Sequence, residues 1–321
     1  MTPADLLPVA AQVFGVLLVM LAGAGAVWLG WLDRHADRSL ASLIANLFFP
    51  AYFISKLAVR EPMGTQAEIW LPPLFGFAET CLGFAIAWLV IRTFGPLFGL
   101  TSPIVQRTFA LTVGIANYGY VPLPLAEQFF PAAFAPTLVH NIGVDVALWS
   151  VGLLVISGEA IAGLRRLATS LPLWTMLGSL AIQQLQLGYL IPRPLLLTCE
   201  LLGSCAIPAG LLLSGAIIAE AMPSVNWLQK KSVLALAVGV RMLLLPLMFL
   251  LAARHLPMSP ALDQVLLLQA SMPAASFPIV MTRLYGGDID TATRVVFGTS
   301  VLGLLTIPLW ITAGSWYLGL G

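Results

Sequence analysis

Two long apolar segments, one in each half of the chain, are interrupted by pairs of prolines. The first contains Asn117 seven positions before Pro124, and the second contains Ser271 seven positions before Pro278. Proline lacks a backbone donor and clashes with the preceding helical turn, so both segments are predicted to break near their midpoints. Within a bilayer such a break is tolerated only where it is buried in protein or lines a wet cavity. Paired interruptions of this kind predict the binding site of a transporter.

The composition is that of an integral membrane protein. Of the 321 residues, 59% are hydrophobic and only 9% are charged, whereas soluble domains carry about 25% charged residues. Because roughly 20 apolar residues cross a bilayer, the sequence divides into ten predicted spans. These spans cover residues 8–31, 39–58, 70–93, 102–130, 134–157, 171–190, 194–221, 231–253, 261–285 and 292–318.

The basic residues lie mainly in alternate loops and so predict an orientation in the membrane. One set of loops carries ten Lys and Arg residues and the other set carries four, while Arg241 lies inside the eighth span. Loops rich in Lys and Arg face the cytoplasm. The sequence therefore predicts a multi-pass protein of the cytoplasmic membrane with both termini outside.

A polar stretch at residues 159–170 is predicted to be a cytoplasmic linker between two halves, residues 1–158 and 171–321. Each half contains five predicted spans, and this odd number places the halves in opposite orientations. Any similarity between them is then an inverted repeat. We expect an all-α polytopic membrane protein with ten transmembrane helices in a 5+5 inverted repeat, in which the proline-broken helices 4 and 9 cross.

Weak similarity between the halves supports this architecture. The two broken segments correspond to each other, and Pro50 in the second span corresponds to Pro208 in the seventh. The inverted halves suggest that spans 3–5 and 8–10 form a moving core and that spans 1, 2, 6 and 7 form a more rigid scaffold. The run from Gly23 to Ala26 in span 1 favours close backbone approach to a neighbouring helix, although Gly and Ala are also common in membrane helices.

Several short motifs occur in a characteristic order along the chain: Asn46-Leu-Phe-Phe-Pro50, Asn117-x6-Pro124-Leu125, Ala206-Ile-Pro208-Ala-Gly210, Leu245-Pro246, and Gln269-Ala-Ser-Met-Pro273 through Pro278 to Tyr285-Gly286. Their order and spacing resemble the auxin efflux carrier superfamily, which includes plant PIN-formed carriers and bacterial relatives. The resemblance implies an inverted 5+5 repeat, elevator-type alternating access and a tendency to form homodimers. It also implies organic-anion substrates, from auxin in plants to malonate or malate in bacteria. The short central loop is similar to that of compact bacterial members, which implies a bacterial inner membrane.

The candidate substrate site lies at the two breaks. A broken helix exposes unpaired N–H groups with partial positive charge at the start of its second half, here predicted at residues 121–126 and 277–280. Two such ends can hold a carboxylate, as helix N-termini hold anions elsewhere. The amide of Asn117 suits either a carboxylate or the carbonyls that the break frees. The predicted substrate-binding residues are Asn117, Gly119, Pro122, Pro124, Ser271, Pro273, Ser276 and Pro278.

Three charged residues inside predicted spans form a second group of candidates, namely Glu79, Asp145 and Arg241. Inserting a charged residue at the centre of a membrane helix costs roughly 2.5–3.5 kcal/mol of free energy. Each of these charges therefore needs a partner or a wet cavity. Arg241 is predicted either to attract an anion or to pair with Glu79 or Asp145, and an ion pair that only stabilises the core is an alternative. Both carboxylates are proton-coupling candidates, because burial favours the protonated form of a carboxyl group.

The favoured function is secondary active transport of a small organic carboxylate anion such as malonate, malate or an auxin-like acid. The alternatives are a sodium-coupled carrier similar to the bile-acid symporters, a cation/proton antiporter, and a channel or receptor without turnover. The sequence contains no nucleotide-binding glycine loop, no HExxH and no nucleophile motif, so we expect no enzyme, no catalytic residue, no metal, no cofactor and no nucleic-acid partner. The coupling ion, H⁺ or Na⁺, and the direction of transport stay open.

Overall fold

The fold is all-helical throughout the part of the chain described by a computed structural model, which comprises residues 6–64, 66–158, 161–227, 230–256 and 258–320. The strand-like pairing within these ranges is a single antiparallel bridge between Ala116 and Ala274. Residues 1–5, at the start of the predicted first half, and residues 159 and 160, at the start of the predicted linker, lie outside the described residues.

Eight α-helices precede the central linker in the described chain. They are α1 (Leu6–Trp28), α2 (Arg34–Leu43), α3 (Phe49–Phe53), α4 (Gln66–Phe94), α5 (Pro103–Gly114), α6 (Pro122–Phe129), α7 (Pro131–Ala147) and α8 (Leu153–Ser157). The linker itself contains a short helix, α9 (Ile161–Ala168). Eight helices follow it in the described chain: α10 (Leu171–Gln184), α11 (Arg193–Ser204), α12 (Ala206–Ala221), α13 (Lys231–Val238), α14 (Leu245–His255), α15 (Pro260–Ser271), α16 (Phe277–Leu284) and α17 (Ile289–Leu318).

Seven continuous helical stretches in the described chain are long and apolar enough to cross a membrane. They are Leu6–Trp28, Asp37–Ala58, Glu68–Phe98, Pro131–Ser157, Arg193–Ser224, Lys231–His255 and Ile289–Leu318. The other three predicted spans do not form long continuous helices, because two are broken into α5/α6 and α15/α16 and the third, α10, is short. The protein is therefore a multi-pass α-helical membrane protein, and the number of ten spans stays a prediction.

Several of the long stretches contain π-helical turns, and proline explains one of them. The π-helical segment Gly239–Leu244 ends just before Pro246, whose ring nitrogen cannot donate to the carbonyl of Met242 four residues earlier. The indole Nε1 of Trp310 donates to that carbonyl instead, at 2.8 Å. A side chain of α17 thus satisfies the backbone acceptor that proline leaves unpaired.

Small residues allow α1 and α12 to pack closely. A Cβ on Gly23 would lie 2.0 Å from the carbonyl oxygen of Leu212, and one on Gly215 would lie 1.8 Å from that of Met20. The predicted close approach is therefore confirmed at Gly23, whereas a Cβ on Gly25 would meet no atom within 4 Å. In a second packed group, α4 lies against α5 and α7. The two broken segments meet beside this second group, where α15 contacts α7.

Candidate functional site

Both predicted interruptions are present as non-helical segments. α5 ends at Gly114 and α6 begins at Pro122, while α15 ends at Ser271 and α16 begins at Phe277. Pro122 and Pro278 stand in the first turn of the second half-helix. Donors in that turn have no acceptor within the helix, so proline is tolerated there. The prolines therefore begin the second half-helices.

The two breaks pair with each other through their backbones. The N–H of Asn117 donates to the carbonyl of Pro273 at 2.8 Å, and the N–H of Ala275 donates to the carbonyl of Ile115 at 3.2 Å. These bonds frame the antiparallel bridge between the breaks. Each broken segment thus satisfies part of the backbone of the other, which stabilises non-helical chain within an apolar protein.

A cavity of about 310 Å³ lies beside this crossing. Side chains of α2, α3, α10 and α12 line one side, and the two breaks together with α7 line the other. Its walls are largely aromatic and aliphatic, and its polar side chains are Asn117, Tyr118, Tyr120, Asn141, Asp145, Ser170 and Ser276. Among the lining residues that the structure describes, Asp145 is the only charged one. The cavity extends from the crossing to Leu167 and Ser170, near the basic loop that contains Arg165.

Several lining residues carry backbone N–H groups that have no acceptor within the described chain. They are Tyr118, Gly119, Tyr120, Ser276 and Phe277. Unpaired N–H groups gathered at helix starts and turns carry partial positive charge and attract anions. Such a cluster of donors is chemically suited to an anion and needs no formal cation.

Most of these donors lie earlier in the chain than the sequence predicted. Residues 121–126 and 277–280 were expected to supply them, but the prolines at three of these positions have no N–H. The N–H groups of Leu123 and Ile279 are occupied, since they donate to the carbonyls of Gly119 and Ser276 at 3.2 and 3.0 Å. Phe277, the first residue of α16, is the free donor that falls within the predicted ranges. The other free donors, at residues 118–120 and 276, lie in the breaks before the second half-helices.

The side chain of Asn117 is free to contact a ligand. Only 6% of this residue is exposed, it lines the cavity, and its amide forms no hydrogen bond with any described group. Its backbone N–H supports the crossing. The side chain therefore does not satisfy the backbone of the break, which was the alternative role considered for it.

Asp145 is held at the cavity by a tyrosine of the first break. The hydroxyl of Tyr118 donates to Oδ1 of Asp145 at 2.7 Å, and no described group donates to its other oxygen. Gln269 orients the same region, because its Nε2 donates to the carbonyl of Tyr118 at 3.3 Å and to Oδ1 of Asn141 at 3.4 Å. The first break, α7 and α15 are thus joined by one polar network.

This geometry agrees with comparisons to known proteins. The sequence profile of a family described as "Membrane transport protein" matches residues 8–160 and 163–311. The chain belongs to this family. The match confirms the resemblance to the auxin efflux carriers, for which this is the family. A protein from Methanothermobacter thermautotrophicus described as an uncharacterized transporter is 26% identical over 314 residues, covering 93% of this chain and 96% of that relative. Like its family, the protein is a membrane transporter.

Of the predicted site residues in this transporter, four line the cavity at the crossing: Asn117, Gly119, Ser276 and Asp145. Ser276 also joins the second break to α12, because its hydroxyl donates to Oγ of Ser214 at 2.9 Å. Gly119 neither packs closely nor has an unusual dihedral angle, since a Cβ there would meet no atom within 4 Å and its φ is not positive. Its lack of a side chain leaves room in the cavity.

The remaining predicted substrate-binding residues shape the breaks but do not line the cavity. Ser271 donates its hydroxyl to the carbonyl of Leu267 in its own helix at 2.7 Å. Pro273 accepts the hydrogen bond from Asn117, and Pro122, Pro124 and Pro278 lie in the first turns of α6 and α16.

Arg241 forms no ion pair with Glu79 or Asp145, although pairing with one of them was among the predictions. It is 2% exposed, and its Nε and NH2 groups donate to the carbonyls of Met272 and Gln269 at 3.0 and 3.3 Å. The carbonyls at the end of a helix lack intrahelical partners. Arg241 satisfies them at the end of α15, which is a structural use of its charge.

Glu79 has a partner that the sequence did not indicate. Its Oε2 lies 3.4 Å from Nε2 of His140, one turn and a half before Asp145 on α7. Two other glutamates within predicted spans lie away from the cavity: Glu127 pairs with Lys56 at 2.6 Å, and Glu200 is exposed on α11.

Sequence reasoning missed most of the cavity wall. Phe49 and Phe53 come from the second span, Tyr118 and Tyr120 from the first break, and Trp149 from the π-helical turn that follows α7. The two tyrosines flank Gly119, and a polar aromatic pair inside a proline-broken segment was the one available signal. The phenylalanines and Trp149 stand in ordinary apolar runs, so no local pattern separates them from lipid-facing residues.

Proposed function

We propose that this protein is a secondary active transporter that carries a small organic carboxylate anion, such as malonate, malate or an auxin-like acid, across the cytoplasmic membrane by alternating access. The observation that carries the proposal is the pairing of two broken helices beside a cavity lined by unpaired backbone N–H groups. Discontinuous helices of this kind bind substrate in many secondary transporters.

The chemistry of the cavity suits a carboxylate attached to an apolar body. The free N–H groups of residues 118–120 and 276–277 and the amide of Asn117 are donors, and hydrogen bonds to an ionised acceptor are the strong ones. Aromatic side chains such as Trp149 and Phe53 offer apolar surface to the remainder of the substrate. Small-molecule sites typically combine such walls with a few polar groups that fix orientation.

The position of the cavity supports an elevator mechanism. One wall belongs to the predicted scaffold (spans 1, 2, 6 and 7), and the other belongs to the predicted core (spans 3–5 and 8–10). A second cavity of about 610 Å³ near residues 60–64 is also bounded by both parts, with Gln183 on one side and Leu262 on the other. Movement of the core between these spaces would expose the substrate to either side. We include in this proposal the 5+5 inverted repeat, the division at residues 159–170, a homodimer, and a bacterial inner membrane with both termini in the periplasm.

A second candidate function is favoured by one observation. Antiporters that exchange cations for protons use a carboxylate near the helix crossing, and Asp145 stands in the cavity beside it. Cation/proton exchange, or sodium-coupled uptake as in carriers similar to the bile-acid symporters, would use this group directly. Proteoliposomes loaded with a pH-sensitive dye distinguish these functions from the main proposal. In an antiporter, added Na⁺ or K⁺ changes the internal pH even when no carboxylate is present.

Counterflow tests the main proposal. Proteoliposomes preloaded with unlabelled malonate, malate or indole acetate should take up the labelled acid transiently and saturably. Asn117→Ala should weaken apparent affinity roughly ten- to hundredfold, because a hydrogen bond to a charged group is worth about 1.5–3 kcal/mol. Asn46→Ala is the matched control, since that exposed amide bonds only to Ser42 on its own helix. Absence of counterflow for every carboxylate would remove the proposal, and wild-type kinetics in Asn117→Ala would remove Asn117 from the site.

A further inference from the structure

The cavity combines anion-binding donors with a carboxylate of its own. Free N–H groups at both breaks attract a negative charge, whereas Asp145 in the same lining repels one when ionised. Two like charges about 6 Å apart at the effective dielectric of a protein site weaken binding by roughly a hundredfold. An ionised Asp145 therefore disfavours binding of a carboxylate in the same cavity.

No cation among the described lining residues relieves this conflict. Tyr118 and Tyr120 are the other titratable side chains among the described lining residues, and those contributed by α2, α3, α10, α12 and α16 are all uncharged. On its far side α7 packs against α4, whose Glu79 is paired with His140. The α15 helix, also packed on α7, presents the uncharged Gln269 there.

Arg241 and Arg166 do not supply a cation to the lining. Arg241 is bound to the carbonyls at the end of α15. Arg166 of α9 is exposed and lies over the ring of Trp149, 5.5 Å from its centre, without lining the cavity.

The simplest way to neutralise Asp145 is to bind a proton. Its Oδ1 accepts from Tyr118 at 2.7 Å, while its other oxygen has no donor in the described chain and stands in a lining that the substrate would share. A proton on that oxygen removes the repulsion and turns the acceptor into a hydrogen-bond donor for the substrate carboxylate. The same side chain thereby makes substrate binding depend on proton binding.

We propose that Asp145 is the proton-binding residue of this transporter and that one proton moves with each carboxylate, which makes the protein a proton–carboxylate symporter. This inference rests on the proposed function. In the empty cavity Asp145 releases its proton to water and is held ionised by Tyr118. In the loaded cavity it is protonated and donates to the substrate, and the two are released together on the other side.

Uptake driven by a pH gradient tests the proposal. Proteoliposomes are held at zero membrane potential with valinomycin and equal potassium, and labelled malonate is added with the acid side outside. Protein-free liposomes set the background of passive diffusion. The wild type should accumulate malonate about tenfold for each pH unit, because a tenfold concentration ratio and one pH unit are the same free energy.

The Asp145→Asn variant separates coupling from binding. It should still show saturable counterflow, now at a rate that no longer varies with pH, but it should not accumulate malonate on the gradient. Asp263→Asn is the matched control, since this carboxyl of α15 does not line the cavity, and it should accumulate like the wild type. If Asp145→Asn does not fold, Tyr118→Phe should move the half-maximal pH of uptake upward, because the ionised carboxylate loses its donor.

Each contrary result has a distinct meaning. Counterflow without any response to the gradient would overturn proton coupling and leave the proposed function standing. Gradient-driven accumulation by Asp145→Asn, or an unmoved pH profile in Tyr118→Phe, would overturn the role of Asp145. Uptake of amino acids or amines in place of carboxylates, lost in Asp145→Asn, would make Asp145 the counter-ion of a cationic group. No counterflow at all would end both proposals.

Discussion

Single residues decide where the two crossing segments break and what they present to the cavity. Proline at the start of α6 and α16 prevents helical continuation and leaves the preceding N–H groups without intrahelical acceptors. Asn117 then contributes both a backbone bond to Pro273 and a free side-chain amide. One position therefore supports the crossing and remains available to a ligand.

Arg241 illustrates why a buried charge need not be part of a binding site. We expect Arg241→Met to lower stability by about 1–3 kcal/mol for each carbonyl left unsatisfied at the end of α15, seen as a lower unfolding temperature in detergent. Arg254→Met is the control, because this exposed arginine of α14 only lies over the ring of Tyr317. An Arg241→Met protein as stable as the control but without substrate affinity would assign Arg241 to the site instead.

At the scale of helices, the protein repeatedly satisfies broken backbone with groups from another element. Trp310 of α17 donates to the carbonyl that Pro246 leaves free in the eighth span, and Arg241 does so for α15. In hydrocarbon an unpaired peptide group costs several kcal/mol. Prolines in membrane helices are thus tolerated here because neighbouring helices supply the missing partners.

The contact between α12 and the first break yields a prediction about movement. Gly210 faces Tyr120 so closely that a Cβ would lie 1.9 Å from the tyrosine ring. We expect Gly210→Ala to displace Tyr120 into the cavity and to lower the counterflow rate at least about tenfold. Displacement of a binding group by about 1 Å can lower a rate by about a hundredfold.

The control for this substitution is Gly178→Ala in α10, because a Cβ there would meet no atom within 4 Å. Purified protein of both variants should elute and unfold like the wild type. Equal counterflow rates in the two variants would show that Tyr120 does not move with, or bind, the substrate.

At the scale of the whole molecule, an elevator mechanism requires the predicted core to slide past the predicted scaffold. Lys56, at the end of the second span, contacts Glu127 of α6 at 2.6 Å and so joins the two parts. In a background without Cys81, Cys199 and Cys205, we expect a short bis-methanethiosulfonate cross-linker between Lys56→Cys and Glu127→Cys to stop transport and a reductant to restore it.

A second pair controls for cross-linking itself. Lys230 and Asp288 lie 2.7 Å apart, and both precede helices of the predicted core. The same cross-linker between cysteines at these two positions should leave transport intact. Full activity of the cross-linked Lys56–Glu127 pair would argue against sliding of the core.

The predicted orientation is tested by chemical labelling of intact cells. A cysteine at Glu61, exposed near the end of the second span, should react with a membrane-impermeant maleimide, whereas one at Thr169, exposed beside α9, should react only after permeabilisation. The reason is the excess of Lys and Arg in the loops on the side of Thr169. The opposite pattern would place both termini in the cytoplasm.

The sequence alone determined that this is a polytopic α-helical membrane protein and where two of its apolar segments break. Both properties follow from local chemistry, since a bilayer demands a run of apolar residues and proline acts on its own turn of helix. The family followed as well, because the motifs keep their order along the chain. Asn117, Gly119, Ser276 and Asp145 were named from the sequence because polar or small residues stand out in apolar runs.

The tertiary structure alone decided which groups share the cavity. Tyr118 reaches Asp145 across 27 positions of the chain, and Ser276 reaches Ser214 across 62. The partners of Arg241 and Glu79 were likewise set by packing, because several polar groups were available to each and the sequence does not rank them. Hydrophobic patterning places a side chain in the membrane, but only the packing of helices determines whether it meets lipid, another helix or the substrate.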